Sequence, residues 1–331
     1  LHPKEGYVCD PEYALPKVFV SNNPRAKRGL DTPKYYKFFA DEGMKLIYNK
    51  YPQYQVFHEP LQKCVPGVYE ADISGVRKPE IGLQRVLKKE PNNALLKALH
   101  DLLSRVLDVS GLKDSDFGVF GSLLHDFYHP KFSDLDFIVY GNQNLEKLCK
   151  GLNKLYKEDP SLHNEFDFMS AVESKDWKFI NYSLDDYLWH QRRKMIYTYF
   201  ESKEAGRIVK AEFEPVKDWG EIVNGFNNFA RIYHVCWIKA VVEITDDKEA
   251  PFIPSIYQIK VKEIIEGPKI ENITQIFSYM EEFRFQAKKG EKALVEGNLE
   301  KVIDGTNTYY QITFSYGYRY YEQTFKVITE N

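Results

Sequence analysis

In the stretch GVFGSLLHDFYHPKFSDLDFIVYG, from Gly118 to Gly141, a Gly-Ser pair, Gly121-Ser122, precedes an alternating Asp134-Leu135-Asp136. Alternate residues of an extended strand share a face, so Asp134 and Asp136 project together while Leu135 and Phe137 face the opposite layer. Two carboxylates this close repel unless protons or cations intervene. Such an oxygen-rich pair suits Mg²⁺ or Mn²⁺, and Mg²⁺ ordinarily completes its shell with water and substrate phosphates. Gly121 permits close backbone approach, and the Ser122 hydroxyl with neighbouring amides can donate to a phosphate. The chemistry implied is phosphoryl-type transfer from a nucleoside triphosphate, with one ion activating the attacking oxygen and another neutralising the leaving pyrophosphate.

These residues need a sheet and its covering helices. Leu95, Leu96, Leu99, Leu102, Leu103 and Val106 recur at helical spacing and stop near Gly111. A short strand at 118–120, the Gly-Ser turn, a loop and a second strand over 135–140 follow. The pattern then predicts a helix at about 144–156 and a short strand at 166–169. Ser183 reads as the cap of a helix running to about Tyr199, and the alternation of residues 208–216, IVKAEFEPV, predicts a strand. Ahead of this core, Pro52, Pro60, Pro66 and Pro79 break the chain into short pieces after a helix expected over 32–50. Beyond Trp237, alternating segments punctuated by Gly267, Gly290, Gly297, Gly305 and Gly317 predict a small antiparallel barrel or strongly curled sheet.

Basic residues supply candidate phosphate ligands. Arg192, Arg193 and Lys194 are the densest spot near the centre, and Arg192 or Arg193 is expected to grip a terminal phosphate, although a helix fans the three apart. Arg25, Lys27 and Arg28, with Lys34 and Lys37 beyond, could guide a polyanion, or form an exposed charged turn. His125, Asp126 and His129 lie in the loop between the motif halves without a zinc spacing. In the tail, Tyr279, Phe283, Phe285, Tyr309, Tyr316, Tyr318 and Tyr320 interleave with Arg284, Lys288, Lys289 and Arg319. That mixture suits base stacking along RNA, and equally a barrel core with a dimer contact.

Composition narrows the setting. Forty-five basic against forty-eight acidic residues leave a formal charge of -3, so any polyanion site is a local patch. The chain has no apolar run of membrane-spanning length, and its first residues, LHPKEGY, carry no apolar signal core. Cys9, Cys64, Cys149 and Cys236 are widely spaced, without a CxxC pair, and point to free thiols in a cytoplasmic setting.

Gly121-Ser122 followed by Asp134-Leu135-Asp136 resembles the nucleotidyltransferase superfamily of DNA polymerase β, poly(A)- and CCA-adding enzymes and small-molecule adenylyltransferases. With the proline-broken extension, the stretch is similar, more narrowly, to an archaeal group of predicted nucleotidyltransferases of undefined substrate. The resemblance implies a third carboxylate on a later strand. Glu212 and Glu214 are placed for it, and Glu212 is preferred because Pro215 is expected to end the strand beside Glu214. Superfamily enzymes usually carry Asp there, and Glu reaches about one methylene further.

The expected fold is α+β: an irregular N-terminal extension (1–90), a central nucleotidyltransferase domain of mixed sheet and helices (91–233), and a β-rich, barrel-like domain (234–331). The resemblance implies an enzyme that moves a nucleoside monophosphate to a hydroxyl acceptor on RNA, protein or metabolite and releases pyrophosphate. Asp134, Asp136 and Glu212 would hold Mg²⁺ or Mn²⁺, and Gly121 and Ser122 the phosphates. The rival is a protein of this fold without turnover that binds RNA or a protein partner through its tail. A homodimer through the tail is compatible with either reading.

Overall fold

The computed structural model describes residues 3, 5–29, 32–39, 42–168, 179–223, 230–316 and 319–329. The first ninety residues hold β1 (Gly6–Val8), β2 (Tyr13–Ala14), β3 (Lys27–Arg28), β4 (Tyr35–Lys37), α1 (Glu42–Lys50), β5 (Gln55–His58), β6 (Lys63–Tyr69) and α2 (Pro79–Leu87). Two three-stranded sheets result, ordered β1-β6-β5 and β2-β4-β3. The helix expected over 32–50 is thus β4 followed by the shorter α1. Tyr36 pairs with Ala14 on one side and with Lys27 on the other, a use of the backbone that helical periodicity does not reveal.

The central sheet is built from β7 (Phe117–Val119), β8 (Leu135–Tyr140), β9 (Leu162–Asn164), β10 (Tyr197–Ser202) and β11 (Arg207–Val216). Its order is β7-β8-β11-β10-β9, and β8 and β11 run parallel while every other neighbour is antiparallel. One face is covered by α3 (Ala94–Ser110) and α5 (Asn142–Glu158), with the one-turn α4 (Gly121–Leu124) between β7 and β8. The Asn93 Oδ1 caps α3 by accepting from the Leu96 amide at 3.1 Å, and Gly111 ends it in the left-handed region at φ 66°. Leu95, Leu99 and Leu102 of α3 and Leu148 and Leu152 of α5 pack on Leu135, Phe137, Val139, Ala211 and Phe213 of the sheet. The alternation that buries these strand residues turns Asp136, Lys210, Glu212 and Glu214 to the other face.

The expected helix from Ser183 is real but short, α6 (Leu184–Arg192), and Ser183 caps it by accepting from the Asp186 amide at 3.1 Å. Met195 at φ 53° then breaks the helical path, and residues predicted as its last turn enter β10. The strand predicted at 166–169 is displaced to β9, with a 3₁₀ turn at Glu165–Asp167, and Met169 lies outside the described residues.

The C-terminal region forms a six-stranded sheet from β12 (Arg231–Glu249), β13 (Ser255–Glu266), β14 (Ile273–Ser278), β15 (Lys292–Asp304), β16 (Asn307–Phe314) and β17 (Thr324–Val327). The expected barrel-like domain is corrected here. The sheet order is β12-β13-β14-β16-β15-β17, and β14 and β16 run parallel, so the domain is a mixed β-sheet and not the antiparallel barrel expected, with β17 lying outside β15 as an edge strand. The long β12 also pairs with β15, folding the sheet back on itself. Along its other side β15 first pairs with β17 and then, past Gly297, with β16. A Cβ at Gly297 would stand 2.8 Å from the Phe314 ring, so this glycine lets that ring cross the strand where the neighbour changes. Residues 283–287, one of the alternating segments that read as strands beyond Trp237, form a 3₁₀ turn and loop, with Phe285 at φ 52°. Tyr318 lies outside the described residues.

The architecture is therefore an α+β core with a largely irregular N-terminal region and a C-terminal β-sheet domain. No described helix is long and apolar enough to cross a membrane. Leu102 is fully buried between α3 and the sheet. Leu102→Ala is expected to cost about 3 kcal/mol of unfolding free energy, read from urea denaturation, by leaving a cavity the rigid layers cannot close.

Candidate functional site

The polar face of β8 and β11 opens into a cleft of about 850 Å³. Asp134, Asp136, Lys210 and Glu212 line it from the sheet, and Ser122 from α4. Tyr13, Arg25, Lys27, Arg28 and Lys37 line it from the N-terminal region. The parallel register sets Glu212 directly beside Asp136, so the third predicted acid reaches the same face as the pair. Pro215 does not end β11, which runs on to Val216. Glu214 is therefore in the strand as well, but it does not line the cleft.

Gly121 is fitted to this place twice over. Its φ of 54° is one that side-chain-bearing residues rarely adopt, and a Cβ there would lie 2.6 Å from Asp136 Oδ2. The Phe120 amide donates to the Asp136 carbonyl at 2.8 Å, fixing the turn to β8. Behind it, the Arg85 guanidinium of α2 donates to the Leu123 and Leu124 carbonyls at 3.1 and 3.0 Å, satisfying the end of α4. The loop beyond is packed rather than free. The His125 ring stacks on Phe127 with centroids 5.4 Å apart, Tyr13 stands edge-on to both, and Arg77 donates to the His125 carbonyl at 3.0 Å. His129 lines the cleft, whereas Asp126 faces a smaller neighbouring cavity of about 440 Å³.

The carboxylates strain against one another. Burial first, then the charges of Glu212 and Asp134, push the Asp136 carboxyl up to about 7. Asp134 is also raised, chiefly by desolvation, against the pull of Lys210, Arg207 and Arg25. Burial raises Glu212, helped by Glu214 and opposed by Lys210 and Arg284. Arg284, from the loop ahead of β15, has its side chain fully enclosed. It forms an ion pair with Glu214 and places Nη2 3.5 Å from Glu212 Oε1. Lys210 holds the buried Glu165 carboxylate at 3.2 Å. Among the described residues no three His, Cys, Asp or Glu side chains converge as a ready metal site.

Arg192 and Arg193, expected on the phosphates, are engaged elsewhere. Arg192 donates to the Phe166 carbonyl at 2.9 Å and lies 3.4 Å from Asp167. Arg193 stacks over Trp189 and bonds Glu291 at 2.5 Å, tying α6 to the C-terminal sheet. The adjacent Lys194 is buried and donates to the Glu282 carbonyl at 2.7 Å. The cations at the cleft are Arg25, Lys27, Arg28, Lys37 and Lys210. The first four belong to a basic cluster visible in the sequence. Lys210 was legible only from the alternation that singled out Glu212, which puts it on the same face one pair earlier.

Residues 99–212 match the family model of the nucleotidyltransferase domain. The matched span begins within α3 and closes on Glu212, so it contains Gly121-Ser122 and both aspartates. It supports membership of the nucleotidyltransferase superfamily, though of no particular subgroup within it. The chain is also similar to an uncharacterized protein of Methanocaldococcus jannaschii, at 23% identity over 318 residues that cover 94% of this chain and 88% of that protein. No solved structure matches the chain.

Two outcomes follow from the geometry. In metal-free buffer, Asp136 contributes stability below its ordinary value near 3.8 and loses it as pH rises through about 7. Asp136→Asn should therefore raise unfolding free energy at pH 8 by on the order of 2 kcal/mol and show no gain at pH 4, measured by denaturant titration at both pH values. Gly121→Ala should shift the Asp136 carboxylate, the movable side of the 2.6 Å contact, and lower stability by about 1–3 kcal/mol through its positive φ. Thermal melts and a crystal structure of the variant check both effects.

Proposed function

We propose that this cleft binds a nucleoside triphosphate with a divalent cation and transfers the nucleoside monophosphate to a hydroxyl acceptor, releasing pyrophosphate. The observation that carries the reading is the place of Gly121, where a Cβ would stand 2.6 Å from the Asp136 carboxylate, beside a cleft whose opposite wall is basic. The cations lining it outnumber the carboxylates, so a polyanion is favoured even before a divalent ion joins it. The family match over residues 99–212 supports the same class of chemistry.

The donor set fits one Mg²⁺ or Mn²⁺ at Asp134 and Asp136, completed by phosphate oxygens and water, better than a three-acid cluster. When bound, the ion supplies charge to orient the triphosphate and stabilise the departing pyrophosphate. The chain's own residues do the remainder. Ser122 and nearby amides bind phosphate oxygens beside Gly121, and Arg25, Lys27, Arg28 and Lys37 hold the triphosphate from the other wall. The acceptor oxygen bonds to the α-phosphorus as the bond from that phosphorus to the bridging oxygen breaks, and pyrophosphate leaves with the electron pair. The acceptor's proton passes to Glu212, whose raised affinity for protons suits a base. Catalysis is then mainly positioning and electrostatics. We assign the domain to residues 91–233, in a cytoplasmic protein whose acceptor is an RNA end, a protein or a metabolite hydroxyl.

One observation favours the rival reading of a binding protein without turnover: Glu212 is drawn toward Arg284 and not toward the aspartates alone. In that case the C-terminal sheet would carry the function by contacting RNA, a protein partner or a second copy of the chain. Calorimetry with each of the four nucleoside triphosphates and Mg²⁺ separates the readings from a protein with no nucleotide site. Metal-dependent binding, weakened at least tenfold in Asp134→Asn/Asp136→Asn, is the expected result. A folded wild-type protein that binds none of the four would sink the proposal. Pyrophosphate release on adding acceptors would then distinguish enzyme from binder.

A further inference from the structure

Resting on that reading of the cleft, we propose that Lys210 is a fixed cation of the site, standing in for a second divalent ion, so that the cleft takes one divalent ion with each triphosphate. Lys210 precedes Glu212 by two residues on β11, and the two side chains share the face that lines the cleft with Asp134 and Asp136. Its ammonium is held from beneath by Glu165, 3.2 Å away and almost wholly buried in the 3₁₀ turn after β9. Glu165 does not line the cleft, so it acts as an anchor and leaves the Lys210 ammonium directed by a group no ligand displaces. The Lys210 charge acts on Asp134, Asp136 and Glu212 alike.

A two-ion site needs acids that bridge and surround both ions. Here no three of the described His, Cys, Asp or Glu side chains are arranged as a ready metal site, although Asp134, Asp136 and Glu212 share the cleft, and Glu212 already has the Arg284 guanidinium at 3.5 Å. The positive charge that a second ion would bring among the three acids is supplied instead by two side chains, Lys210 in the cleft and Arg284 behind it. Lys210 keeps its proton throughout; it binds and positions, holding negative charge on the phosphates and steadying Glu212 for the acceptor. An ammonium anchored by a buried carboxylate needs no reorganisation when charge develops.

The test is Mn²⁺ stoichiometry, by electron paramagnetic resonance and calorimetry, on the wild-type chain with a non-hydrolysable nucleoside triphosphate. One ion per chain is expected with the nucleotide. Lys210→Met should keep a folded protein by thermal melt and weaken nucleotide binding about tenfold, and Lys210→Arg should restore most of it. Glu165→Gln, which keeps shape and removes the anchor's charge, should weaken binding several-fold in the same direction. Two ions per chain in the wild type, or unchanged nucleotide affinity in both Lys210→Met and Glu165→Gln, would overturn the role of Lys210 while leaving nucleotide binding intact. A wild type that binds neither ion nor nucleotide overturns the proposed function, and this inference with it.

Discussion

Asp136 and Glu212 sit side by side on parallel strands, and their burial there, with the charge of Glu212 bearing on Asp136, governs what surrounds them. Register cannot relieve it, because sliding β11 by one residue would carry Phe213 and Ala211 out of the core that α3 and α5 cover. The apolar face thus enforces an arrangement that the polar face must neutralise. Lys210 and Arg284 do so from inside the protein, and the basic N-terminal residues from across the cleft. What they leave uncompensated is concentrated at Asp136, beside Gly121, which has no side chain to meet it.

The same constraint joins parts of the chain that differ in composition. The N-terminal region, broken by prolines and short in regular structure, is a wall of the cleft: β2 and β4 place Tyr13 and Lys37 against the motif loop and the carboxylates. The C-terminal sheet contributes Arg284 from a loop with Phe285 at φ 52°, a backbone conformation that a bulky residue adopts only where its surroundings fix it. Phe179 and Tyr182, which precede α6, pack in the C-terminal core, and the His190 imidazole of α6 accepts from the Val327 amide of β17 at 3.1 Å. The sheet bearing the acids is thereby tied to the C-terminal sheet, ahead of whose β15 the Arg284 loop lies.

Much of the core was legible because its signals are local. The α3 leucines repeat at helical spacing and Asn93 and Gly111 cap the ends; β8 and β11 alternate cleanly, which pairs Asp134 with Asp136 and Glu212 with Glu214 on their strands' faces, while the meeting of Asp136 with Glu212 depends on the pairing of β8 with β11. Pairings between distant segments were not legible. Nothing local announces that Tyr36 lies in a strand between Ala14 and Lys27, or that β14 runs parallel to β16 and leaves β17 at an edge. Among the site residues, Arg192 and Arg193 were singled out by charge density alone, and density carries no direction: their partners are a carbonyl, an aspartate, a tryptophan and a glutamate outside the cleft. Arg284 was visible only as one more cation among tail aromatics, because its role depends on burial against two glutamates far away in sequence.

The most direct measurement is a crystal structure grown with Mn²⁺ and a non-hydrolysable nucleoside triphosphate, with the ion located by anomalous scattering. An anomalous peak shared by Asp134 and Asp136, with triphosphate density between Ser122 and the Arg25–Arg28 segment, is the predicted result. A cleft without ion or nucleotide in crystals of a folded chain, or an ion bound away from both aspartates, would contradict it.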